Sequence, residues 1–380
     1  MERKKFGVGI LGTGWMATVH SKGYMAARCM FWPKSRWDVE LVGVCGSSPQ
    51  KGQAFAERFM VVNYHSSLDV LLADKSVTVF VNVTPDHLHV EPTLAAIRAG
   101  KHVICEKPIA LKSSDAKRMW DEAERAGVKH LCCFSYRFLP AVRMAHELIR
   151  DGELGRLYHF AGAYYQDQGS FEETPVEKIW YVSGSGVDQG IGTHLIDMSR
   201  FLMGDDITSV SGMRRTYIKK RDSAKGVVDV DATEGFFTML EYGKGTTGIM
   251  QCLGVANGKQ SEFSVEIFGS KGSLKWDMAD PNILWLYQSD TLTAKARGWV
   301  KINCTEPDHP FMDTWWPKGH VLGWEHGHVN MLAHFLDCLA EDRDIAPYGA
   351  TFKEGYEVSS IVETINQSAA EGVKLQVSYQ

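Results

Sequence analysis

The chain contains 380 residues and has a formal net charge of −5, from 41 lysines and arginines against 46 aspartates and glutamates. Its 44% hydrophobic and 23% charged residues are typical of a soluble globular protein and exclude a disordered or fibrous one. Because the charge is mildly acidic and no basic block occurs, we expect neither nucleic acid nor a membrane surface as a partner.

The N-terminus and the cysteines indicate the compartment. Residues 1–5 are mostly basic and precede an apolar run, as in a secretion signal. The run stops at a glycine-rich loop, however, and is better interpreted as a buried strand. The eight cysteines show no CxxC spacing and are typical of small core residues in a reducing compartment. We therefore expect a cytoplasmic protein.

The first third of the chain alternates strands with helices. Apolar and β-branched runs predict strands at residues 6–11, 40–45, 77–84, 102–105 and 129–135. The segments between them predict helices at residues 17–27, 51–59, 89–99 and 114–125. This alternation predicts an α/β domain with a doubly wound parallel sheet.

The loop after the first strand has the spacing of a dinucleotide-binding loop, Gly12-x-Gly14-x-x-Ala17. The first glycine allows a tight turn, the second lets the backbone approach a pyrophosphate, and a small third residue lets helix and strand pack closely. We expect Gly12 and Gly14 to contact an NAD(H) or NADP(H) cofactor. Trp15 and Met16, which follow Gly14 directly and precede the predicted helix, are expected to contact it as well.

The second strand ends without the carboxylate that would bind the ribose 2′-hydroxyl of NAD. Instead Ser47 and Ser48 follow the strand, with Lys51 nearby, and these groups could hold a 2′-phosphate. NADP is therefore slightly favoured over NAD. The alternative is that Ser47, Ser48 and the next residue form only a helix N-cap.

Two further strand ends carry unusual residues at the edge where open α/β sheets bind ligands. One strand is followed by Thr84, Pro85, Asp86 and His87, and the next by Glu106, Lys107 and Pro108. A lysine at this edge lies beside the nicotinamide position, whereas a surface ion pair would need no particular strand end. Pairs of histidines two residues apart, at 87 and 89 and at 326 and 328, lack further ligands, so we predict no metal site.

Several motifs, in this order and spacing, resemble those of the glucose–fructose oxidoreductase/inositol dehydrogenase (Gfo/Idh/MocA) family. They are Gly9-Ile10-Leu11-Gly12-Thr13-Gly14, Thr84-Pro85-Asp86-His87-Leu88-His89, Glu106-Lys107-Pro108, Tyr136-Arg137-Phe138-x-Pro140, Gly192-x-His194-x-x-Asp197 and Phe268-Gly269-Ser270-Lys271-Gly272-Ser273. The resemblance implies an N-terminal Rossmann domain and a C-terminal α+β domain, whose open, mostly antiparallel sheet closes over the nicotinamide. It also supports Thr84, Pro85, His87, Glu106 and Lys107 as cofactor contacts.

The sequence supports such a second domain independently. After an amphipathic stretch at residues 141–150 the helix–strand alternation ends. Strands are then predicted at residues 157–165, 208–218, 233–242, 246–253 and 263–268, and helices at 328–341 and 352–371. We predict a Rossmann domain at residues 1–138 and a substrate-binding and oligomerisation domain at 139–380.

Hydride transfer from a secondary alcohol needs a base for the hydroxyl proton and donors for the developing alkoxide. In the family the Glu-Lys-Pro lysine and the Gly-x-His-x-x-Asp histidine have these roles, which implies Lys107 and His194 here, with Glu106 orienting the lysine. Many relatives carry an aspartate four residues before the histidine, but that position is Gly190. Asp188 is the nearest carboxylate; either it serves instead, or Lys107 and His194 act alone.

Six residues are predicted to bind the substrate, and they are Tyr136, Arg137, Tyr164, Tyr165, Trp316 and His320. The resemblance implies this role for Tyr164 and Tyr165, which end a strand where relatives place sugar-contacting residues. For Trp316 and His320, aromatic faces and imidazoles that suit a polyol favour it. The aromatic and histidine-rich segment at residues 315–326 could equally be a loop that is buried against a second subunit.

Together these features predict an NAD(P)-dependent oxidoreductase that oxidises a ring hydroxyl of a sugar, glycoside, anhydrosugar or cyclitol to a ketone. The main alternative is a redox-neutral enzyme that retains its cofactor and oxidises a glycoside transiently. A non-catalytic dinucleotide-binding regulator is disfavoured by Lys107 and His194. A homodimer or homotetramer is expected, because open sheets of this family commonly associate.

Overall fold

The computed structural model describes residues 3–179, 181, 185–289 and 293–379. Its first part alternates strands with helices, as predicted. The strands are β1 (Lys4–Leu11), β2 (Trp37–Cys45), β3 (Asn63–His65), β4 (Val79–Asn82), β5 (His102–Cys105) and β6 (His130–Cys132). The helices are α1 (Trp15–Met30), α2 (Pro49–Phe59), α3 (Leu68–Ala73), α4 (Val90–Arg98) and α5 (Ser113–Ala126). Short β3 and α3 were not predicted.

The six strands form one parallel sheet in the order β3-β2-β1-β4-β5-β6. The order reverses between β1 and β4, and the crevice at the carboxyl ends of these two strands is where such sheets bind ligands. All four residues of β4 are buried, since helices cover both faces of a parallel sheet. The predicted doubly wound sheet is confirmed.

The rest of the chain contains mainly strands. Its elements are α6 (Pro140–Arg150), β7 (Leu157–Tyr165), α7 (Thr193–Met203), β8 (Ile207–Arg215), β9 (Lys220–Arg221), β10 (Val228–Asp229), β11 (Gly235–Tyr242), β12 (Thr247–Leu253), β13 (Glu262–Gly269), β14 (Gly272–Asp277), β15 (Ile283–Gln288), β16 (Val300–Asn303), α8 (Trp324–Glu341), α9 (Phe352–Glu371) and β17 (Leu375–Gln376). Among the described residues, nine strands form a sheet in the order β16-β15-β14-β13-β7-β12-β11-β8-β17. Only β7 and β12 pair in parallel there, which confirms the open, mostly antiparallel sheet.

The two faces of this large sheet differ. Along β11 and β12 buried and more exposed residues alternate, as expected for a sheet with one covered face. Phe236 and Leu240 lie on the covered face, whereas Met239 and Ile249 lie opposite each other on the uncovered face. The covered face contacts α7, which carries His194.

The chain divides into two compact units, one of residues 1–138 with 323–359 and one of residues 139–322 with 360–380. Segment 323–359 belongs to the first unit because α8 packs against α1, and because the Phe352 N–H donates a 3.0 Å hydrogen bond to His130 Nδ1. The predicted domains at 1–138 and 139–380 stay a prediction, and the compact units differ from them in this segment.

Seven of the eight cysteines are buried free thiols, which agrees with their predicted place in the core, whereas Cys29 is exposed. The helices of the described residues include none that combines the length and apolar character needed to cross a bilayer.

Candidate active site

The loop between β1 and α1 has room for a ligand at Gly14. Gly12 has φ +119°, in the region that favours glycine, and a Cβ there would lie 3.0 Å from the Val83 carbonyl oxygen. Gly14 is the N-cap of α1, and a Cβ there would meet no described atom within 4 Å. Within the described structure no side chain caps α1, and its first turn lacks an acid. The free N–H groups and the helix dipole therefore fit a dinucleotide pyrophosphate.

Trp15, the first residue of α1, provides an apolar surface beside this loop. It is 69% exposed although its ring stacks on Trp324, with 5.4 Å between centroids and 9° between planes. Met16 is half-buried behind it. Both predicted residues thus lie at the helix N-terminus, and Trp324 joins them from the far end of the chain.

The serines after β2 form a helix cap. Ser48 is the N-cap of α2, and its hydroxyl accepts a hydrogen bond from the Lys51 N–H at 3.5 Å. Ser47 and the Lys51 side chain are exposed. The cap alternative thus accounts for Ser48, while a contact of Ser47 and Lys51 with a 2′-phosphate remains a prediction.

The loop after β4 is held by buried Asn82. The Asn82 side-chain carbonyl accepts hydrogen bonds from the Thr84 hydroxyl at 2.7 Å and the Thr84 N–H at 3.2 Å. Its amide nitrogen donates to the carbonyl oxygens of Leu88 and His89. These hydrogen bonds restrain the backbone of the loop. The side chains of the predicted residues Pro85 and His87 are exposed.

Glu106 is the centre of a buried polar cluster at the end of β5. It is 5% exposed, and its Oε1 accepts a 2.8 Å hydrogen bond from His20 Nε2. Its Oε2 accepts from the Lys107 N–H at 3.2 Å. Burial opposes ionisation of this carboxyl, but the His20 hydrogen bond and the charges of His20, His328 and Lys107 prevail and lower its pKa to about 2.

Lys107 has the electrostatic environment of a proton-transfer group. The residue is half-buried, and burial lowers its pKa from the usual lysine value, while the charge of Glu106 partly offsets that effect. The neutral amine is therefore more accessible than in an exposed lysine. Burial also lowers the pKa of His328 to about 4, so this neighbouring imidazole is neutral at physiological pH.

Ligand atoms of His20, Glu106 and Cys133 lie within 4.8 Å of one another. His20 Nε2 is engaged by the carboxylate, and burial raises the pKa of the Cys133 thiol well above its usual value, which keeps the thiol protonated. We interpret these three groups as a buried polar cluster that holds Glu106, which in turn accepts a hydrogen bond from the Lys107 N–H. Histidines 87 and 89, weighed as metal ligands from sequence, differ in burial: the first is exposed and the second buried.

The second unit holds His194, the second residue of α7, at the covered face of the large sheet. The His194 ring lies 6.4 Å from that of Tyr164, which stacks on Phe263 with 4.7 Å between centroids and 5° between planes. His194 is half-buried and Tyr164 is buried. The structure therefore brings together one predicted proton-transfer residue and one predicted substrate residue.

Asp188 lies in a π-helical turn, Asp188–Gly192, directly before α7. The residue is 3% exposed, and its Oδ2 accepts a 2.8 Å hydrogen bond from Asn366 Nδ2. Among the described residues Oδ1 has no hydrogen-bond partner. A buried carboxylate with one unsatisfied oxygen is costly, and π-helical turns are frequent at functional sites. Its role in place of the missing aspartate at Gly190 nevertheless stays a prediction.

Three other predicted substrate residues lie in the second unit, each in its own surroundings. Tyr165 follows Tyr164 along β7, and because side chains alternate along a strand it lies on the opposite face of the sheet. Trp316 is exposed and lies outside any helix or strand. His320 is also exposed, and its Nδ1 lies 2.8 Å from the Pro317 carbonyl.

Tyr136 and Arg137 lie in the first unit, in a 3-10 turn, Ser135–Phe138, and both are buried. Burial raises the pKa of the Glu354 carboxyl, but the charge of Arg137 and hydrogen bonds from Thr351 outweigh burial and lower it, so Arg137 and Glu354 attract each other within the unit. This contact gives Arg137 a structural role, and its binding to substrate remains a prediction.

Sequence reasoning did not identify His20, His328 or Asn366 as site residues. His20 lies one turn and a half along α1 from Gly14, and a polar residue on the buried face of a predicted helix was the available signal. His328 and Asn366 lie on helices that are distant in sequence from the residues they contact, so no pattern in the nearby sequence indicates these contacts.

A glycine loop open at a helix terminus, at the switch point of a parallel sheet that also carries a partly buried lysine at its carboxyl edge, is typical of an oxidoreductase with a nicotinamide dinucleotide cofactor. Residues 6–133 match the model of the oxidoreductase family with an NAD-binding Rossmann fold, and residues 142–275 match the Gfo/Idh/MocA C-terminal domain. The chain belongs to the Gfo/Idh/MocA oxidoreductase family.

Several relatives are similar over their whole length. The levoglucosan dehydrogenase of Pseudarthrobacter phenanthrenivorans is 32% identical, with 96% of each chain covered. The glucose-6-phosphate 3-dehydrogenase of Bacillus subtilis is 26% identical, with 98% of each chain covered. A solved levoglucosan dehydrogenase in complex with NADH and levoglucosan has a TM-score of 0.93 and 30% identity, and covers 99% of this chain and 100% of its own. The chain thus carries the NAD-binding fold of this family.

Proposed function

We propose that the protein is an NAD-dependent dehydrogenase that oxidises a ring hydroxyl of a pyranose-type sugar, with anhydrosugars and glycosides as the first candidates. The observation that carries the proposal is Lys107, which is half-buried with a lowered pKa in the loop directly after β5, at the carboxyl edge of the sheet that also carries the open glycine loop. Full-length similarity to a levoglucosan dehydrogenase supports the substrate class.

Cofactor binding is assigned to Gly12, Gly14 and the N-terminus of α1, with Trp15 covering one side. When bound, the oxidised nicotinamide supplies the hydride acceptor. Lys107, in its neutral form, accepts the proton of the substrate hydroxyl, and its lowered pKa increases the neutral fraction. Glu106 fixes the Lys107 backbone through its 3.2 Å hydrogen bond.

His194 is proposed to donate a hydrogen bond to the substrate oxygen on which charge develops. Tyr164, stacked on Phe263, would form an apolar wall for a sugar face. Asp188 is proposed to contribute the carboxylate that is missing at Gly190, held by Asn366. For Tyr136, Arg137, Tyr165, Trp316 and His320, roles in substrate binding remain sequence-based proposals.

A redox-neutral reaction is the second candidate. The 2,7-anhydro-N-acetylneuraminate hydratase of Mediterraneibacter gnavus is 29% identical, with 73% of this chain and 68% of that protein covered. A hydratase releases no reduced cofactor overall, so a chain of this family can use its dinucleotide transiently. Net formation of NADH separates the two candidates.

The test is a panel of levoglucosan, methyl glucosides, glucose and myo-inositol with added NAD or NADP, followed by absorbance of the reduced nicotinamide. Net reduction supports the dehydrogenase, and product formation without net reduction supports the redox-neutral candidate. Lys107→Met should lower kcat by about 100-fold or more while NADH binding persists, because loss of a general base costs roughly two to four orders of magnitude. Lys75→Met, at an exposed lysine, is the control. Unchanged turnover in Lys107→Met would contradict the assignment.

We also propose that the protein forms a homodimer or homotetramer through the uncovered face of the nine-stranded sheet. Met239 is 62% exposed and Ile249 44% exposed, and they are direct cross-strand neighbours, with exposed Met213 on β8. Such contiguous apolar surface is typical of a subunit interface. Ile249→Lys should shift the mass measured by light scattering to that of a smaller species, whereas Val62→Lys, an exposed valine of the first unit, should not. An unchanged mass would place the interface elsewhere.

A further inference from the structure

His89 lies between the loops that follow β4 and β5, and its ring is 1% exposed. Its Nδ1 is 2.7 Å from the carbonyl oxygen of Pro108, and its Nε2 is 2.9 Å from that of Thr84. A carbonyl oxygen can only accept a hydrogen bond. Both ring nitrogens of His89 must therefore carry protons, and such a ring is a cation.

A neutral His89 would be poorly accommodated here. One nitrogen lone pair would face a carbonyl oxygen at hydrogen-bond distance, and that buried carbonyl would lose its donor. Burial by itself lowers the pKa of this imidazole, but Cys105 and the two carbonyl groups outweigh burial and raise the pKa to about 9. The hydrogen-bond geometry and the electrostatics agree on the charged form.

We infer that His89 is a positioning residue, a buried imidazolium that ties the loop after β4 to the loop after β5 and thereby fixes Lys107 relative to Thr84. The inference rests on the proposed function of Lys107. Pro108 follows Lys107 directly, so the His89–Pro108 hydrogen bond restrains the peptide beside the proton-transfer group. Thr84 is a predicted cofactor contact, so the same ring restrains both loops.

The side-chain hydrogen bonds of Asn82 and Glu106 do not duplicate the connection made by His89. Asn82 binds the loop after β4 at Thr84, Leu88 and the His89 carbonyl, which all belong to that same loop. Glu106 binds the Lys107 N–H, within the loop after β5. Backbone pairing joins the two loops where they begin, since the Glu106 N–H donates a 3.0 Å hydrogen bond to the Asn82 carbonyl. Of these three side chains, the His89 ring bonds to both loops beyond that pairing, so loss of one of its protons should loosen the connection between Thr84 and Pro108.

Several titratable groups lie on the elements around His89. At the end of β5 and in the loop after it they are Cys105, Glu106 and Lys107, and in the loop that carries His89 they are Asp86 and His87. As pH rises, deprotonation of Lys107 increases the amount of base, whereas deprotonation of His89 removes a donor from the connection. Activity in the oxidative direction should therefore fall at alkaline pH as His89 loses a proton, an effect opposite in sign to that of Lys107 deprotonation.

The charge state is tested by nitrogen NMR of the full-length protein labelled at its histidine rings. At neutral pH both His89 nitrogens should show the signals of protonated imidazolium. His102 is the internal reference, because its Nδ1 accepts a 3.1 Å hydrogen bond from the Lys129 N–H and so must be unprotonated. The signals of the two rings are assigned as those that disappear from the spectra of His89→Gln and His102→Gln. His89→Asn replaces His89→Gln if that variant does not fold. An unprotonated nitrogen at His89 would overturn the inference.

The positioning role is tested by pH profiles of kcat and KM. His89→Met removes both donors and should lower kcat at least about tenfold, roughly the effect of one lost charged hydrogen bond. His89→Gln retains donors that do not titrate, so it should recover most of kcat and lack the fall at alkaline pH. Equal losses in both variants, or an alkaline fall that persists in His89→Gln, would show that the ring is only structural. If the wild type oxidises no sugar, the proposed function fails while the NMR result still decides the charge state.

Discussion

Replacement of Glu106 by Gln tests whether the buried carboxylate supports the loop that carries Lys107. Glu106 accepts from His20 at 2.8 Å and from the Lys107 N–H at 3.2 Å. The amide of glutamine has nearly the same shape and can keep part of these hydrogen bonds. The substitution therefore removes mainly the charge.

The expected loss of stability follows from the pKa of this carboxyl. Its folded-state pKa of about 2, against an ordinary value of 4.5, corresponds to about 3 kcal/mol near neutral pH. Because the folded-state pKa is depressed, this stabilisation is present above the unfolded pKa of 4.5 and is lost as pH falls towards about 2. We expect Glu106→Gln to lower the free energy of unfolding by about 2 to 3 kcal/mol at neutral pH, and by less in acid.

The measurement is urea-induced unfolding followed by tryptophan fluorescence, at neutral pH and at about pH 3, where more than half of this stabilisation should be lost. Glu57→Gln, at an exposed glutamate on α2, is the matched control and should change the free energy of unfolding by less than about 0.5 kcal/mol. A Glu106→Gln protein as stable as the Glu57→Gln protein at neutral pH would refute the reasoning. A loss that does not shrink in acid would show that packing, and not charge, is responsible.

Three further outcomes are expected. Because the charge of Glu106 raises the pKa of Lys107, Glu106→Gln should move the acidic limb of the kcat/KM profile to lower pH, and a shift to higher pH would contradict this coupling. Gly14→Val should keep the melting temperature, because its Cβ meets only open space in the protein, but should lose NADH affinity, because its side chain would occupy the space proposed for the cofactor. Gly12→Val should lower both the melting temperature and the NADH affinity. Titration of NADH fluorescence and thermal melts check this pair. Asp188→Asn should lower kcat about 100-fold with an unchanged or raised melting temperature, because the charge is buried with one unsatisfied oxygen; normal turnover would limit proton transfer to the other residues.

Much of the fold could be predicted because its elements have strong local patterns. The strand Leu157–Tyr165 and the helix Phe352–Glu371 have the bounds expected from sequence. The strands Gly272–Asp277, Ile283–Gln288 and Val300–Asn303 were not predicted, although they extend the same sheet. The last of these has no buried residue, so the alternation that identifies a half-buried strand is weak there.

The candidate site was predictable where a motif fixes the backbone and not where a contact joins distant segments. The roles predicted for Gly12, Gly14 and Lys107 follow from strand ends and loop spacing, and the structure places these residues in the loops directly after β1 and β5. Trp324 was assigned to a loop insertion, because the helix that begins there has a glycine N-cap in place of serine or aspartate. His89 was considered as a metal ligand, and only the positions of two carbonyl oxygens show that both its nitrogens are engaged.

Helices α1 and α8 contact each other at successive turns that begin at their N-termini. Trp15 stacks on Trp324, and about one turn further His20 meets His328 edge to face, with 6.3 Å between centroids. One more turn along, Gly23 lies so close to α8 that a Cβ would come within 2.8 Å of a Leu332 methyl group. The helices therefore run side by side in the same direction.

This pairing connects the glycine loop with the cluster around Glu106. The first contact flanks the loop at residues 12–14, and the second lies beside Glu106, whose carboxylate accepts a hydrogen bond from the Lys107 N–H. Since α8 makes both contacts, a segment that begins at residue 323 supports a loop at residues 12–14 and a lysine at residue 107. Residues 1–138 contain every described strand of the parallel sheet, yet the contacts of Trp15 and His20 with α8 come from outside this range. The first compact unit is thus discontinuous in sequence, and we expect that residues 1–138 without α8 would hold Lys107 less firmly.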